Sequence, residues 1–134
     1  MSRVLPEIDS LNEPFWDACR EGRLSAQRCT SCERLRYPIS PVCPHCMGRE
    51  WTWDSLQGTG TVYTFVVFRH AYNDAWRERV PYTVAIVELD EGIMMIGDVA
   101  RVSPEEVSVG MPVRVDFEPV TPEVTIPRFV PIEA

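Results

Sequence analysis

The chain has 134 residues, of which 45% are hydrophobic and 25% are charged. These ordinary values exclude a disordered chain and fit one folded domain, or two small domains that share a core. The sequence contains no run of 18 apolar residues and no apolar leader, which predicts a cytoplasmic protein without a membrane partner. All of the net charge of −7 falls on residues 51–134, where 6 Arg face 13 Asp and Glu. Because nucleic-acid affinity depends mainly on neutralising phosphates, this charge disfavours a nucleic-acid partner.

Residues 1–27 are predicted to form a lead-in and one short helix. Phe15, Ala18 and Cys19 follow the spacing i, i+3, i+4 and therefore share one face of that helix. A helix of about two turns is not stable in isolation. We therefore expect it to dock on the rest of the chain through the aromatic side chains of Phe15 and Trp16.

Residues 28–56 contain two C-x₂-C pairs, Cys29 with Cys32 and Cys43 with Cys46. Each pair can turn two thiolates toward one ion, and two pairs complete a tetrahedral shell of four sulfurs. The pattern predicts a zinc ribbon with one structural zinc ion. Iron in a rubredoxin-like site uses the same four ligands and is the alternative. Disulfides would need an oxidising compartment and would leave a fifth cysteine over.

Three residues near these pairs complete this interpretation. Glu33 follows the first pair at a turn position where glycine is the easier residue. His45 lies within the second pair and is predicted to face solvent, because four thiolates already close the shell. Cys19, on the apolar face of the helix, is predicted to be a buried small side chain and not a nucleophile. No catalytic residue is therefore predicted.

Residues 57–134 are predicted to form a five-stranded barrel. A capping pattern at residues 103–106 adds one helical turn between the third and fourth strands. This order of elements is that of an OB-fold, so the chain as a whole is mainly β; a sandwich or a meander is the alternative. Two prolines in the last strand place it at an edge. The predicted strands cover residues 61–68, 82–89, 93–99, 112–118 and 125–132.

The connection between the first two barrel strands, residues 69–81, is long for a hairpin loop. It combines aromatic side chains with arginines, a mixture that is enriched where proteins bind one another. This composition predicts a binding surface; capping of the barrel end is the alternative. The residues concerned are Tyr72, Trp76, Arg77 and Arg79.

In this order, the motifs resemble the zinc-ribbon plus OB-fold family of small acyl-CoA-associated proteins, long known as a domain of unknown function. The resemblance covers the chain from about Asn12 to Ile132. Each motif is short, and their succession carries the resemblance. The motifs are Phe15-Trp16 with residues 21–24, the two cysteine pairs with Tyr37-Pro38, the run from Gly58 to Tyr63, Pro81-Tyr82, Val109-Gly110-Met111 and Pro127-x-Phe129.

The resemblance implies an N-terminal helix, a rubredoxin-like zinc ribbon and an OB-fold. Members of the family usually serve as accessory subunits of thiolase-superfamily enzymes such as thiolases, acyltransferases and retro-aldolases. The resemblance therefore implies a non-catalytic subunit of a hetero-oligomer, which binds such an enzyme and helps to bind or present its acyl-CoA substrate. A nucleic-acid-binding module and an autonomous acyl-CoA-binding protein are the alternatives.

The resemblance also implies roles for individual residues. It assigns the metal to Cys29, Cys32, Cys43 and Cys46. It extends to Phe15, Trp16, Pro81 and Tyr82 as a surface that faces the partner or acyl-CoA. Composition adds Tyr72 and Trp76, and it adds Arg20 and Arg23, whose guanidinium groups suit the phosphates of CoA; the alternative is that the arginines are solvated and paired with Glu21 and Glu33.

Overall fold

The computed structural model describes residues 5–71, 74 and 77–132. The described residues form a mainly β protein with one short helix, a small three-stranded sheet and a closed five-stranded barrel, which confirms the predicted fold class. One 3₁₀ turn, Pro104–Glu106, lies between the third and fourth barrel strands as expected. The elements are α1 (Glu13–Arg20), β1 (Leu24–Cys29), β2 (Leu35–Arg36), β3 (Trp51–Leu56), β4 (Thr59–Phe68), β5 (Tyr82–Leu89), β6 (Met94–Val99), β7 (Pro112–Pro119) and β8 (Thr125–Pro131).

The small sheet has the order β2-β1-β3, with all strands antiparallel. Gly22, at φ +78°, turns the chain sharply from α1 into β1, so that the sheet begins at Leu24. The central strand β1 is buried along almost its whole length, including the side chain of Gln27. The amide of Gln27 exchanges two hydrogen bonds with the backbone of Ser40, at 2.9 and 2.8 Å. This buried amide therefore holds the chain that leads to the second cysteine pair against the sheet.

The barrel has the strand order β4-β5-β6-β8-β7 and closes through the pairing of β7 with β4. This is the OB-fold order. Side chains alternate along β5, where Thr83, Ala85, Val87 and Leu89 point inward and are buried. The positions between them, such as Val84 and Ile86, are also apolar and are only half-buried.

The prediction that the last strand lies at an edge is wrong, because β8 lies between β6 and β7. It pairs with β7 over seven residues, whereas within the described chain its pairing with β6 is limited to Val99 and Phe129. The carbonyl oxygen of Phe129 accepts the N–H of Ala100 at 2.8 Å, which shows that alternate residues of β8 face β6. Pro127 and Pro131 are among them, so their missing N–H groups fall where the ladder is not formed.

Helix, sheet and barrel share one apolar core. Phe15 and Cys19 of α1 lie in the same buried cluster as Leu24 of β1 and Val113 of the barrel. The ring of Trp16 packs edge-on against Phe15 with centroids 5.1 Å apart. The predicted docking of the helix through its aromatic residues is thereby confirmed. No helix among the described residues is long and apolar enough to cross a membrane.

Candidate metal centre

The two cysteine pairs lie on two backbone turns of the same geometry, residues 29–34 and 43–48. In each turn the N–H four positions after the first cysteine donates to the carbonyl oxygen of that cysteine, at 2.9 and 2.8 Å. The N–H of the first cysteine in turn donates to the carbonyl oxygen five positions later, again at 2.9 and 2.8 Å. We call these segments the first and second knuckle. Their matched backbone bonds present the two pairs of sulfurs in the same way.

Both knuckles need a left-handed residue directly after their second cysteine. Glu33 and Met47 occupy these positions, each with φ 66°, a conformation that glycine adopts more readily than any other residue. Gly48 has a different role: a Cβ there would lie 3.2 Å from the sulfurs of both Cys29 and Cys46. Its hydrogen side chain therefore allows the chain to pass close to the sulfur cluster.

The four sulfurs fit a tetrahedral metal ion. Those of Cys29 and Cys46 are 3.5 Å apart, those of Cys32 and Cys43 are 3.7 Å apart, and all four lie within 4.8 Å of one another. Sulfurs bound at about 2.3 Å to one tetrahedral zinc ion stand roughly 3.8 Å from each other. The predicted ligands are thus brought together, and four protein ligands leave no position open for a substrate.

Backbone N–H groups stabilise the thiolate form of the first cysteine in each knuckle. The N–H groups of Cys32 and Ser31 lower the pKa of Cys29 to about 6, although burial opposes this change. Burial likewise raises the pKa of Cys43, but the N–H groups of two residues in its own knuckle, His45 and Cys46, lower it below its usual value. The protein therefore prepares one anionic ligand in each knuckle.

The exposed Cys46 differs from its partners. The N–H of Gly48 lowers the pKa of its thiol, but hydrogen bonding to the sulfur of Cys29, with burial, raises this pKa to about 11. The sulfurs of Cys46 and Cys29 lie 3.5 Å apart and can share a proton in a hydrogen bond. A metal ion takes the place of such protons when it binds, because all four ligands must then be thiolates.

The remaining residues near the cysteines behave as predicted. His45 is exposed, and its Nδ1 lies 3.1 Å from a guanidinium nitrogen of Arg34, outside the sulfur cluster. Cys19 is buried, and burial raises the pKa of its thiol to about 12. Burial also raises the pKa of Tyr37, with a smaller contribution from Cys19. Neither Cys19 nor His45 is placed as a metal ligand.

The residues predicted to face a partner or acyl-CoA are not brought to one place. Arg20 is paired with Asp17, and Arg23 with Glu21. The side chain of Arg23 also donates to the hydroxyl of Ser55 at 3.1 Å. Tyr72 and Trp76 lie outside the described residues. The arginines of the helix and its turn are therefore held by their own neighbours.

Phe15 and Trp16 lie beside a groove that sequence reasoning did not identify. It lies between α1, the segment that follows β2, and the facing edges of β6 and β8, and its volume is about 570 Å³. Its walls are mainly apolar, and Trp16 is joined there by residues from three other elements. These include Tyr37, Ile39, Ile96 and Phe129. The contact between β6 and β8 gave no signal in the sequence, because the two strands are far apart in the chain and no local pattern joins them.

Pro81 and Tyr82 line a second, smaller pocket of about 310 Å³, at the opposite end of β6. The ring of Tyr82 stacks on that of Phe68 with centroids 5.1 Å apart. Arg79 and Arg128 also line this pocket. Arg128 donates to Asp116 at 2.9 Å, so that its guanidinium has a fixed orientation. The predicted surface residues thus divide between a groove and a pocket.

Two family models match consecutive parts of the chain. Residues 16–52 match the description "ChsH2, rubredoxin-like zinc ribbon domain", and residues 53–118 match "ChsH2, C-terminal OB-fold domain". The zinc ribbon model agrees with the four clustered sulfurs and supports a structural metal ion. Their common boundary falls within β3, where the ribbon sheet leads into the barrel.

Similar proteins carry related descriptions. The chain is 38% identical over 129 residues to a probable enoyl-CoA hydratase alpha subunit of Thermomonospora curvata, covering 96% of this chain and 40% of that protein. It is 36% identical over 91 residues to a DUF35 domain-containing scaffold protein of Methanocaldococcus jannaschii, covering 67% and 64%. A DUF35 scaffold protein of Pyrococcus furiosus is 32% identical over 100 residues, covering 74% and 72%. The chain thus spans less than half of the hydratase subunit and most of the scaffold proteins.

Solved structures show the same relationship. A structure described as "Ltp2-ChsH2(DUF35) aldolase" matches with a TM-score of 0.84 and 38% identity, and covers 94% of this chain and 98% of the matched one. A DUF35 protein of Sulfolobus solfataricus, at 13% identity and a TM-score of 0.61, shares the fold. By its sequence, its four clustered cysteines and its barrel, the chain belongs to the DUF35 family of zinc-ribbon and OB-fold proteins of the ChsH2 type.

Proposed function

We propose that the chain is a non-catalytic accessory subunit that binds a thiolase-superfamily enzyme and helps to bind or present the acyl-CoA substrate of that enzyme. The observation that carries the proposal is the match to the ChsH2(DUF35) chain, which covers 98% of that chain. The description of that structure joins ChsH2 with a second component, Ltp2, in one aldolase. A chain that corresponds to one such component over nearly its whole length is expected to act beside a partner.

The names of other relatives support the same role. One is named as a probable enoyl-CoA hydratase alpha subunit, and another, of Mycobacterium tuberculosis, as a 3-oxo-4,17-pregnadiene-20-carboxyl-CoA hydratase alpha subunit. The archaeal relatives are named as scaffold proteins. All of these names describe proteins that associate with other proteins, and two of them name a CoA thioester. The thiolase-type partner itself comes from the family resemblance.

The chemistry of the described residues supports a role without catalysis. A zinc ion held by four thiolates has no open position for a substrate or an activated water. With a pKa of about 12, the thiol of Cys19 carries almost no thiolate at neutral pH and is a poor nucleophile. His45 is engaged by Arg34. The reacting groups are therefore assigned to the partner.

The two surfaces suit two different contacts. The apolar groove beside Trp16 suits a protein contact, since apolar and aromatic side chains dominate the centres of interfaces. The pocket beside Tyr82 is lined by two arginines, Arg79 and Arg128, the second of which is also paired with Asp116 and Glu118, and guanidinium groups bind phosphate in bidentate fashion. We assign this pocket to the phosphates of CoA.

The first experiment is affinity purification of the tagged full chain from its native cell, with mass-spectrometric identification of the proteins that accompany it. A stoichiometric thiolase-fold protein is the expected result. The chain alone is expected to turn over no acyl-CoA. Recovery of nucleic acid in a salt-sensitive complex would contradict the proposal. Thiolysis or hydrolysis by the isolated chain, abolished by mutation of one of its own residues, would contradict it as well.

A matched pair of variants tests the assignment of acyl-CoA. In the reconstituted complex, Arg79→Ala is expected to raise the KM for acyl-CoA about tenfold, because it removes a guanidinium from the pocket. Arg77→Ala is the control, since Arg77 pairs with Asp74 and does not line that pocket. Equal KM values for the two variants would show that the phosphates bind elsewhere.

A further inference from the structure

We infer that the part of β6 around Ile96, where its pairing with β8 does not extend, binds an extended segment of the partner protein, which adds beside β6 in the groove next to α1. This inference rests on the proposed function, because it requires a partner protein. It does not depend on which reaction that partner catalyses. Addition of a strand to a sheet edge combines main-chain hydrogen bonds with pockets for alternate side chains. The groove offers both.

The hydrogen bonds of β6 with β5 show which of its backbone groups are used. The N–H of Leu89 donates to the carbonyl oxygen of Ile93 at 2.9 Å, just before β6 begins. In an antiparallel pair such bonded positions alternate, so Met95 and Gly97 bond to β5. The backbone N–H and C=O of Ile96, between them, therefore point to the other edge, toward the groove.

β8 does not take up these groups. Within the described chain, β6 and β8 are joined at Val99 and Phe129, three residues beyond Ile96. On the β8 side the next residue that faces β6 is Pro127, which has no N–H to donate. Pro127 therefore offers no donor to the carbonyl oxygen of Ile96, and the described pairing of β6 with β8 does not extend to Ile96.

The side chain of Phe129 fills the space beneath the gap between β6 and β8. The ring of Phe129 is fully buried and lies directly against Gly97, where a Cβ would come within 2.9 Å of it. This close contact fills the space that a missing strand pair would leave in the barrel core. The groove is therefore an apolar surface depression and not an entrance to the core. Trp16 and Ile39 form its opposite wall.

Charge indicates what kind of chain fits. Among the described residues that line the groove, the charged ones are Asp9 and Asp98, both acidic. The whole chain carries −7, so a second copy of it is repelled. The complementary occupant is a segment of another protein in which apolar residues alternate and Lys or Arg lies close by. Ile96, exposed to 61%, offers it an apolar contact on the outer face.

A proline at position 96 tests the hydrogen bonds separately from the fold. Ile96→Pro removes an N–H that faces the groove and leaves every bond between β6 and β5 in place. We expect it to lower the affinity for the co-purified partner about tenfold, which corresponds to about 1.4 kcal/mol. Ile96→Val keeps the N–H and most of the side chain, and is expected to bind within about twofold of the wild type. Metal content and thermal melting of both variants check that they fold.

A second probe does not depend on finding the partner. A phage-displayed library of random dodecapeptides is selected on the immobilised full chain, and the selected peptides are tested by amide hydrogen exchange. The expected peptides alternate apolar residues, carry Lys or Arg, and slow exchange at the amide of Ile96 in the wild type. They are also expected to lose affinity for Ile96→Pro.

The outcomes separate this inference from the proposed function. Peptides that protect the amide of Ile96, with no thiolase-type partner recovered, would support strand addition beside β6 and contradict the proposed partner class. A recovered partner that binds Ile96→Pro as tightly as the wild type would overturn the inference and leave the proposed function standing. Protection of the Ile96 amide by acetyl-CoA alone, or selection of no peptide that protects it, would also overturn the inference.

Discussion

The ribbon and the barrel of this chain are ordered by different interactions. The ribbon sheet is small, and its strand β2 has only two residues; its loops are shaped by the two knuckles around four sulfurs. The barrel closes five strands around side chains such as Val87 and Val113, which are 0% exposed. One region thus depends on a bound ion, and the other on apolar packing.

The two regions are nevertheless coupled. Leu24 of the ribbon sheet and Phe15 of the helix lie in the same apolar cluster as the barrel core. Loss of the ion should therefore disorder the knuckles first, while β1 keeps its contact with the barrel. Substitutions in one region and the other can test how far this coupling extends.

Cys43→Ser is expected to have the largest effect. It removes one of the four ligands, and structural zinc sites contribute about 10–16 kcal/mol in zinc-finger peptides. We expect the metal content to fall from one ion per chain to none, and the amides of residues 29–50 to lose their protection from hydrogen exchange. The amides of β5 should keep theirs. Metal analysis and hydrogen exchange on the same samples measure both effects.

His45→Ser is the matched control for this change, because it alters an exposed residue of the same knuckle that contacts Arg34. It should retain one ion per chain. Full metal content and unchanged melting of Cys43→Ser would show that the four-cysteine assignment is wrong. Loss of barrel protection together with that of the ribbon would show that the two regions unfold as one unit.

Phe129→Ala is the opposite test to Cys43→Ser, because it weakens the packing of the barrel and leaves the four metal ligands of the ribbon unchanged. A buried aromatic ring replaced by a methyl group typically costs about 3–5 kcal/mol, and the ring of Phe129 fills the space beside Gly97. We expect the free energy of unfolding measured in urea to fall by this amount, with the metal content unchanged. Ile132→Ala, at an exposed position just after the same strand, should cost less than about 0.5 kcal/mol.

The parts that could be predicted from the sequence are those fixed by local patterns. Two C-x₂-C pairs determine the four ligands, because the spacing alone turns two sulfurs toward one ion. Alternating residues in the run from Pro112 to Glu118 indicate that Val113 faces the core and that Arg114 faces solvent. Phe15, on an isolated short helix, had to dock on other elements to be stable. Each of these inferences needed only residues that are close in the chain.

The groove could not be predicted, because it depends on contacts between distant residues. Gly97 and Phe129 touch across 32 positions, and nothing near either residue indicates the other. The two prolines of β8 remove N–H groups from one side of that strand. The sequence could not show that this side would face β6 inside a closed barrel. The error about the edge and the missed groove therefore have the same cause.

Gly48→Ala should have a moderate effect confined to the ribbon. The added Cβ would lie 3.2 Å from two of the four sulfurs, so the knuckle must shift and the ligand geometry must loosen. Changes just outside a metal site typically cost about 10–100-fold in affinity. Competition with a chromogenic chelator should show a weaker site of this order. Met47→Ala, one residue earlier and exposed, should stay within about threefold of the wild type; an equal loss in both would show that crowding at Gly48 is not the cause.

The smallest expected effect compares the two knuckles themselves. Glu33 and Met47 share φ 66° and are both exposed, so glycine at either position removes left-handed strain and gives up little packing. The greater freedom of glycine in the unfolded chain offsets part of this gain. We therefore expect Glu33→Gly and Met47→Gly each to raise the free energy of unfolding of the metal-bound protein by less than about 1 kcal/mol. The carbonyl of residue 33 accepts a guanidinium N–H of Arg28 at 2.7 Å, a backbone contact that survives the change. Urea melts that show a gain for one variant and a loss for the other would mean that the knuckles, despite their matched hydrogen bonds, do not carry equal strain.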